Sequence, residues 1–415
     1  MKDEIKIVII GAGIAGVSAA KTLREQGFKG QITLVDSSPN MPYDRPPLSK
    51  DFLKSEATEQ DILLNTEQFY KEKDIDLKLG KKVIDINSYT KHITLDTGET
   101  ITWDKLLITT GTKLKRLPKM NGDHLENIYY LKTLADAERL KENIASLNHL
   151  VIIGGGFIGM EVAASLRSLG KKITVLEAAP TPLSRVLGED MGTYLTDVHR
   201  SKGIDIITSD YVIQFNGDTK IEAITTNQGI KIECDGVLIG IGVYPDSSLI
   251  DGLLEFDNGI LVDEYCETSL SGIYAAGDCA RWPYSVNGEL IRVEHWDHAL
   301  NQGRTAALNM LHPKSEVYNN IPYFWSNQHH LALQYIGHPT KWEQTIVRGN
   351  VNNDQFTMFY INDQKVVGAL IVNEPKNILP IRKLIKQEAI IDTEELADET
   401  LDLRKIAKRT KTLTN

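Results

Sequence analysis

Lys6-Ile7-Val8-Ile9-Ile10-Gly11-Ala12-Gly13-Ile14-Ala15-Gly16 opens a unit that Gln31-Ile32-Thr33-Leu34-Val35-Asp36 closes. The apolar run has the length of a buried strand. The G-x-G-x-x-G turn starts a helical stretch that ends near Gly27, and a second strand finishes in an acid. Each part has a physical reason. Gly11 permits the tight turn, Gly13 leaves room for a pyrophosphate, and Gly16 lets the helix pack close to the strand. The helix N-terminus offers unpaired N–H groups and a positive dipole end to phosphates. Asp36 stands where a carboxylate accepts from ribose hydroxyls. Together these features read as a dinucleotide-binding unit.

A second copy follows. Residues 149–153 form a strand, Gly154-Gly155-Gly156-Phe157-Ile158-Gly159 repeats the glycine turn, a helix runs over 160–169, and residues 172–176 lead to Glu177. Glu177 invites a ribose 2′-hydroxyl and repels a 2′-phosphate, and Ala178-Ala179-Pro180 supplies no arginine, so this site is expected to prefer NADH to NADPH. Glu161, in the first turn of the helix, either favours the dipole or contacts a nicotinamide. Two such units imply two dinucleotides. The economical pairing is FAD at the first and NADH at the second, with the cofactors carrying the redox chemistry.

Bulk properties limit the alternatives. A chain of 415 residues suits two or three domains, and a hydrophobic content of 41% supplies their cores. A net charge of −10 argues against non-specific nucleic-acid binding. Cys234, Cys266 and Cys279 show no metal-binding or disulfide spacing, which fits a reducing compartment. Met1-Lys2-Asp3-Glu4 runs straight into the first strand, and no apolar run has transmembrane length. The expectation is a cytoplasmic protein with no membrane partner.

Between the units, the loop Ser37 to Lys50 contains four prolines and carries Arg45 and Lys50. Those cations reach a pyrophosphate or flavin, or the loop is a rigid surface with solvated charges. Residues 59–70 read as helix, and 81–86 and 93–95 as strands. A strand over 103–109 ends in Thr110-Gly111, where backbone can approach a ligand closely. A β-rich stretch over 203–243 reaches a Gly/Pro junction, with Gly242, that fits a crossover between domains. The strand before Asp278 delivers it to a helix start, as an N-cap or as a partner for ribityl hydroxyls. His295 and His298 lie beside Asp297, but nothing completes a metal site. From residue 321 the composition becomes aromatic, strands are read over 331–336, 345–347, 355–361 and 366–372, and a basic end carries Arg404, Lys405, Lys408, Arg409 and Lys411.

Pro42-Tyr43-Asp44-Arg45-Pro46-Pro47-Leu48-Ser49-Lys50, Val293-Glu294-His295-Trp296 and Pro322-Tyr323-Phe324-Trp325-Ser326 are the most specific blocks. With the two glycine turns they resemble the oxygenase-coupled ferredoxin reductases. These are the FAD-containing, NADH-dependent reductases of rubredoxins and 2Fe–2S ferredoxins, relatives of apoptosis-inducing factor. The resemblance covers nearly the whole chain. It implies an α/β fold of two Rossmann-like dinucleotide-binding domains, as in glutathione reductase, plus a C-terminal α+β domain. The expected boundaries are 1–114 and 247–321 for FAD, 115–246 for NADH and 322–415 for the interface domain.

The resemblance also implies roles. Gly11, Gly13, Ala15, Gly16 and Asp36 hold the ADP half of FAD, with Val83 on the adenine side. Arg45 and Lys50 flank the flavin and its phosphates, Thr110 and Gly111 approach them, Asp278 binds the ribityl chain, and Trp296 lies by the ring. Gly154, Gly156, Phe157, Ile158, Gly159, Gly242 and Glu177 hold NADH, and Glu161, Glu294 and Trp325 line the nicotinamide pocket. Lys50, Glu161 and Glu294 are the residues expected closest to hydride transfer. At Lys132 the family often carries arginine, which stacks as lysine cannot, so FAD is expected to be held less tightly. Asn327 also departs from a common aspartate.

Residues 1–233 contain no cysteine, so a thiol mechanism is not expected, and Cys279 reads as core. The expected partner is an acidic ferredoxin or rubredoxin, steered by Lys50, Arg304 or the C-terminal cations, on a monomer or weak homodimer. Two other readings remain: an NADH reductase of small acceptors such as quinones, radicals or oxygen, and an NADH-responsive flavoprotein sensor.

Overall fold

The computed structural model describes residues 5–409; Met1 to Glu4 and Lys411 lie outside the described residues. Its first sheet is wholly parallel, in the order Ile273–Ala275, Lys105–Ile108, Lys6–Ile10, Gln31–Asp36, Ile75–Leu79. The inner strands Lys6–Ile10 and Gln31–Asp36 are near-continuous apolar runs because both faces are covered, as parallel sheets require. Ile7, Ile9, Ile32 and Leu34 are each at most 1% exposed. Helix Ile14–Glu25 packs against helix Trp296–Leu311 so closely that a Cβ at Gly303 would lie 2.2 Å from the Ala15 carbonyl oxygen.

The second sheet repeats the plan: Asp205–Ile207, Lys172–Leu176, His149–Ile153, Gly236–Ile239, Ile128–Tyr129, again all parallel. Between the sheets the chain passes out through Lys113–Leu114 and back through Val243–Tyr244, and these two strands pair antiparallel. The third large sheet is antiparallel, in the order Tyr323–Gln328, Leu331–Gly337, Lys365–Val372, Gln355–Asn362, Gln344–Asn350. Helix Ile378–Gln387 covers it, burying Ile381, Leu384 and Ile385. Tyr323–Gln328 is a strand because Phe324, Ser326 and Gln328 alternate into the interior.

Two sequence expectations are corrected. Residues 59–70 do not form one helix: a 3₁₀ turn spans Gln60–Ile62 and a short helix spans Glu67–Glu72. The break is tertiary. The Asp44 N–H donates to the Ile62 carbonyl at 2.7 Å and the Leu64 N–H to the Pro42 carbonyl at 2.9 Å, so this stretch clamps the proline-rich loop. Asp278 does not start a helix either. It sits in a tight turn closed by the Ala280 N–H on the Gly277 carbonyl at 2.9 Å, and the next helix begins at Trp296.

Among the described residues no helix is long and apolar enough to cross a membrane. His298 is a core residue: it stacks on Trp282 at 4.3 Å and bonds the Tyr318 hydroxyl at 2.8 Å. The three cysteines are buried and unpaired.

Candidate active site

The two glycine turns match atom for atom in what they exclude. A Cβ at Gly11 would sit 2.3 Å from the Thr109 carbonyl oxygen, and one at Gly154 would sit 2.4 Å from that of Gly240. At Gly16 and Gly159 it would lie 2.0 and 2.2 Å from the carbonyl oxygens of Gly11 and Gly154. At Gly13 and Gly156 it would meet nothing within 4 Å. Those two positions open onto free space at the starts of helices Ile14–Glu25 and Phe157–Ser168, and neither helix has a side-chain cap. Both helix ends therefore keep donors and a positive dipole end for a diphosphate.

The acids also match. Asp36 accepts from the Ala12 N–H at 2.6 Å and the Ser38 N–H at 2.7 Å. Glu177 accepts from the Gly155 N–H at 2.5 Å and the Ala179 N–H at 2.7 Å. Each carboxylate is locked beside its glycine turn with its charge kept at the cleft. Val83 follows two residues after Lys81, whose N–H donates to the Asp36 carbonyl at 2.9 Å. Gly242, exposed and at φ +98°, belongs to the turn that leaves the Gly236–Ile239 strand over Gly154. Ile158 is exposed in the first turn of helix Phe157–Ser168, and Phe157 packs edge-on against Phe324 at 4.6 Å.

Where the first unit's cleft deepens, Arg45, Lys132, Asp278, Arg292 and Glu294 gather. Burial raises the Asp278 carboxyl above its ordinary range, and the charges of Arg45 and Lys132 oppose that rise. Burial pushes the Lys132 ammonium down to about 8, and the Arg45 guanidinium adds to the effect. Lys132 donates to Thr112 Oγ1 at 2.8 Å, and Arg292 pairs with Glu294 at 2.7 Å. A Cβ at Gly111 would lie 3.9 Å from the Arg45 guanidinium, so the Thr110-Gly111 turn borders this group. Ala15 abuts Gly277, which brings the Asp278 turn to the helix start. Three cations crowd two acids here, an arrangement suited to an anionic ligand with hydroxyls.

Lys50 and Glu161 meet at the junction of the two units. Lys50 Nζ lies 2.6 Å from Glu161 Oε2, which also accepts from Ser49 Oγ at 2.6 Å. Glu161 Oε1 accepts from Ser326 Oγ at 2.7 Å, and the Glu161 residue is 3% exposed. Glu294, by contrast, groups with Arg292 and the first cleft; among the described residues no hydrogen bond or ion pair joins it to Lys50 or Glu161. Trp296 and Trp325 face each other edge-on at 5.8 Å, and Trp296 Nε1 donates to Asp44 Oδ1 at 2.5 Å.

Sequence reasoning missed Asp44, Ser49, Ser326 and Gln328. The first three lie inside the most specific sequence blocks, and all four were without assigned roles. The open helix starts, the locked acids and the cation-rich cleft fit two dinucleotides, one of them FAD.

Comparison with known proteins agrees with this geometry. Residues 5–303 match the family "Pyridine nucleotide-disulphide oxidoreductase", and residues 323–407 match "Reductase C-terminal". The chain is 38% identical to rhodocoxin reductase of Rhodococcus erythropolis over 403 residues, covering 96% of this chain and 94% of that protein. It is 37% identical to the ferredoxin–NAD(+) reductase component of the p-cumate 2,3-dioxygenase system of Pseudomonas putida, covering 98% and 99%. The crystal structure of the covalent putidaredoxin reductase–putidaredoxin complex contains a chain that superposes with a TM-score of 0.93 at 33% identity, covering 98% of this chain and 99% of that one.

Proposed function

Because the chain belongs to the pyridine nucleotide-disulphide oxidoreductase family and carries the reductase C-terminal domain, we propose that it is a flavin-dependent NADH:ferredoxin reductase. It takes a hydride from NADH and passes electrons singly to a small iron–sulfur carrier that serves an oxygenase. The carrying observation is the Lys50–Glu161 pair, where a cation of the first nucleotide unit meets an acid of the second at 2.6 Å. FAD, when bound, supplies two-electron acceptance and one-electron release.

The chain's own residues do the rest. Residues 1–114 and 247–321 form the FAD domain, 115–246 the NADH domain and 322–415 the interface domain. Gly11, Gly13, Ala15 and Gly16 present the helix start to the FAD diphosphate, and Asp36 and Val83 receive its adenosine end. Arg45, Thr110, Gly111, Lys132 and Asp278 hold the middle of the molecule, and Trp296 borders the ring. Gly154, Gly156, Phe157, Ile158, Gly159, Gly242 and Glu177 hold NADH. Lys50 and Glu161, with Trp325, orient the reacting end and keep it from water, and Glu294 borders that end from the first cleft, where it pairs with Arg292.

The carrier is an acidic 2Fe–2S ferredoxin or a rubredoxin. Exposed Arg304, on a groove shared with Trp296 and Asp44, and the exposed Arg404, Lys405, Lys408 and Arg409 steer it. The protein works in the cytoplasm as a monomer or weak homodimer. Buried thiols play no part: burial pushes Cys234 up to about 12 and also raises Cys266 and Cys279.

Anaerobic rapid mixing of the FAD-loaded protein with NADH, then with oxidised carriers, tests the reading. Fast bleaching followed by fast, salt-sensitive reoxidation by a ferredoxin is expected. Reoxidation by quinone or oxygen alone would make it a small-acceptor reductase, and a persistent long-wavelength band without reoxidation would make it a sensor.

A further inference from the structure

A line of side chains runs from Glu161 along the seam between the second nucleotide unit and the C-terminal domain and out to the surface. Ser326 Oγ donates to Glu161 Oε1 at 2.7 Å, and Gln328 Nε2 donates to Ser326 Oγ at 3.1 Å. His199 Nε2 lies 2.9 Å from Gln328 Oε1, and His329 Nε2 lies 3.3 Å from His199 Nδ1. Ser326, Gln328 and His199 are all 0% exposed, while His329 is half-buried.

The chemistry of the groups fixes the direction of every bond. Glu161 pairs with Lys50, so its carboxylate is acceptor-only and takes the one Ser326 hydroxyl proton. Ser326 then needs a donor behind it, which only the amide NH₂ of Gln328 supplies. That turns the Gln328 carbonyl toward His199, which must present Nε2–H. Burial lowers the basicity of His199 and, with the Lys202 charge nearby, brings His329 down to about 4, so both rings are neutral near pH 7. A neutral His199 with Nε2–H has a bare Nδ1, and His329 Nε2–H fills it. Reversing any one member would set a buried donor against a donor or an acceptor against an acceptor. Each dipole in the line points its positive end at Glu161, and such chains reinforce themselves in a dry interior.

The charged and titratable groups facing this line are Lys50 at its inner end, and Lys202 and His330 beside His329. Ser326 and Gln328 come from strand Tyr323–Gln328, Glu161 from helix Phe157–Ser168, and His199 from helix Glu189–Ser201. The line therefore ties the interface domain to the second nucleotide unit at its acid.

We propose that Ser326 and Gln328, backed by His199, are positioning residues for hydride transfer: they fix one oxygen of Glu161 so that the other holds Lys50 in a single place. The proposal rests on the reading of Lys50–Glu161 as the hydride-transfer site.

Two measurements test it. In FAD-loaded S326A and Q328M, the limiting rate of flavin reduction by NADH falls about tenfold with the NADH dissociation constant unchanged, and S326T recovers most of the loss. In the unaltered, oxidised FAD-bound protein labelled with ¹⁵N-histidine, His199 shows the neutral Nε2–H form at neutral pH. Wild-type reduction rates in both S326A and Q328M, or an Nδ1–H form of His199, overturn the proposal. E161Q serves as the control: if it too reduces at the wild-type rate, the reading of the site fails, and not only the line behind it.

Discussion

Lys50 and Glu161 stand 111 positions apart in sequence, on different nucleotide units, and form the least exposed of the ion pairs among the described residues. A buried pair is costly to break from one side, because the remaining charge is left without a partner. In E161Q and K50M, flavin reduction by NADH is expected to slow about a hundredfold while FAD stays bound. Stopped-flow absorbance at the flavin band reads the rate, and the spectrum of the resting protein reads retention. Loss of FAD from both variants would reassign the pair to cofactor binding.

Gly13 and Gly16 separate ligand space from fold space. A Cβ at Gly13 meets nothing, so G13A should melt within about a degree of wild type. Its FAD affinity should nevertheless fall about tenfold or more, because the methyl occupies the diphosphate's approach. G16A drives a methyl to 2.0 Å from the Gly11 carbonyl oxygen and should lose roughly 3 kcal/mol of stability. Calorimetry of the FAD-free proteins, followed by FAD titration, distinguishes the two.

Lys132 makes FAD binding pH-dependent in a defined direction. Its folded value, about 8, lies below its ordinary 10.5, so the FAD-free fold disfavours the ammonium. The unfolded chain then holds more protons between those values, and stability contributed by this group rises with pH across that window. An anionic dinucleotide favours the ammonium. FAD binding at pH 8 to 9 is therefore expected to take up protons, with affinity declining as pH climbs above about 8. Titration calorimetry in buffers of different ionisation heat measures the uptake. K132M should abolish it, and K132R should hold FAD more tightly with a flat profile.

Glu177 is held rigid by two backbone N–H groups, so it cannot swing away from a 2′-phosphate. E177A should raise the ratio of NADPH to NADH turnover about tenfold. An unchanged ratio would place nucleotide discrimination elsewhere.

The legible parts of this molecule are those whose reasons are local. Gly11, Gly13 and Gly16 announce their turn within six positions, and their echo at 154–159 doubles the signal. Asp278 was legible as a strand-end acid but not as a turn residue, because its turn depends on Gly277 resting against Ala15. The continuous helix read over 59–70 gave way to backbone bonds with Pro42 and Asp44, which no periodicity encodes. Ser326 reaches Glu161 across 165 positions. Beyond its place in the Pro322 to Ser326 block, its trace is that Ser326 and Gln328 share the phase of Phe324, placing polar side chains where a strand should bury apolar ones.

The antiparallel pairing of Lys113–Leu114 with Val243–Tyr244 has a consequence for how the chain is made. All strands of the second parallel sheet lie between those two segments, so that unit can close as soon as they have emerged from the ribosome. The first sheet cannot: its edge strand Ile273–Ala275 is synthesised later, yet must dock beside Lys105–Ile108. Domains usually mature in the order they are translated. Here the middle of the chain is the first to have every strand of its sheet synthesised, while the beginning still lacks its edge.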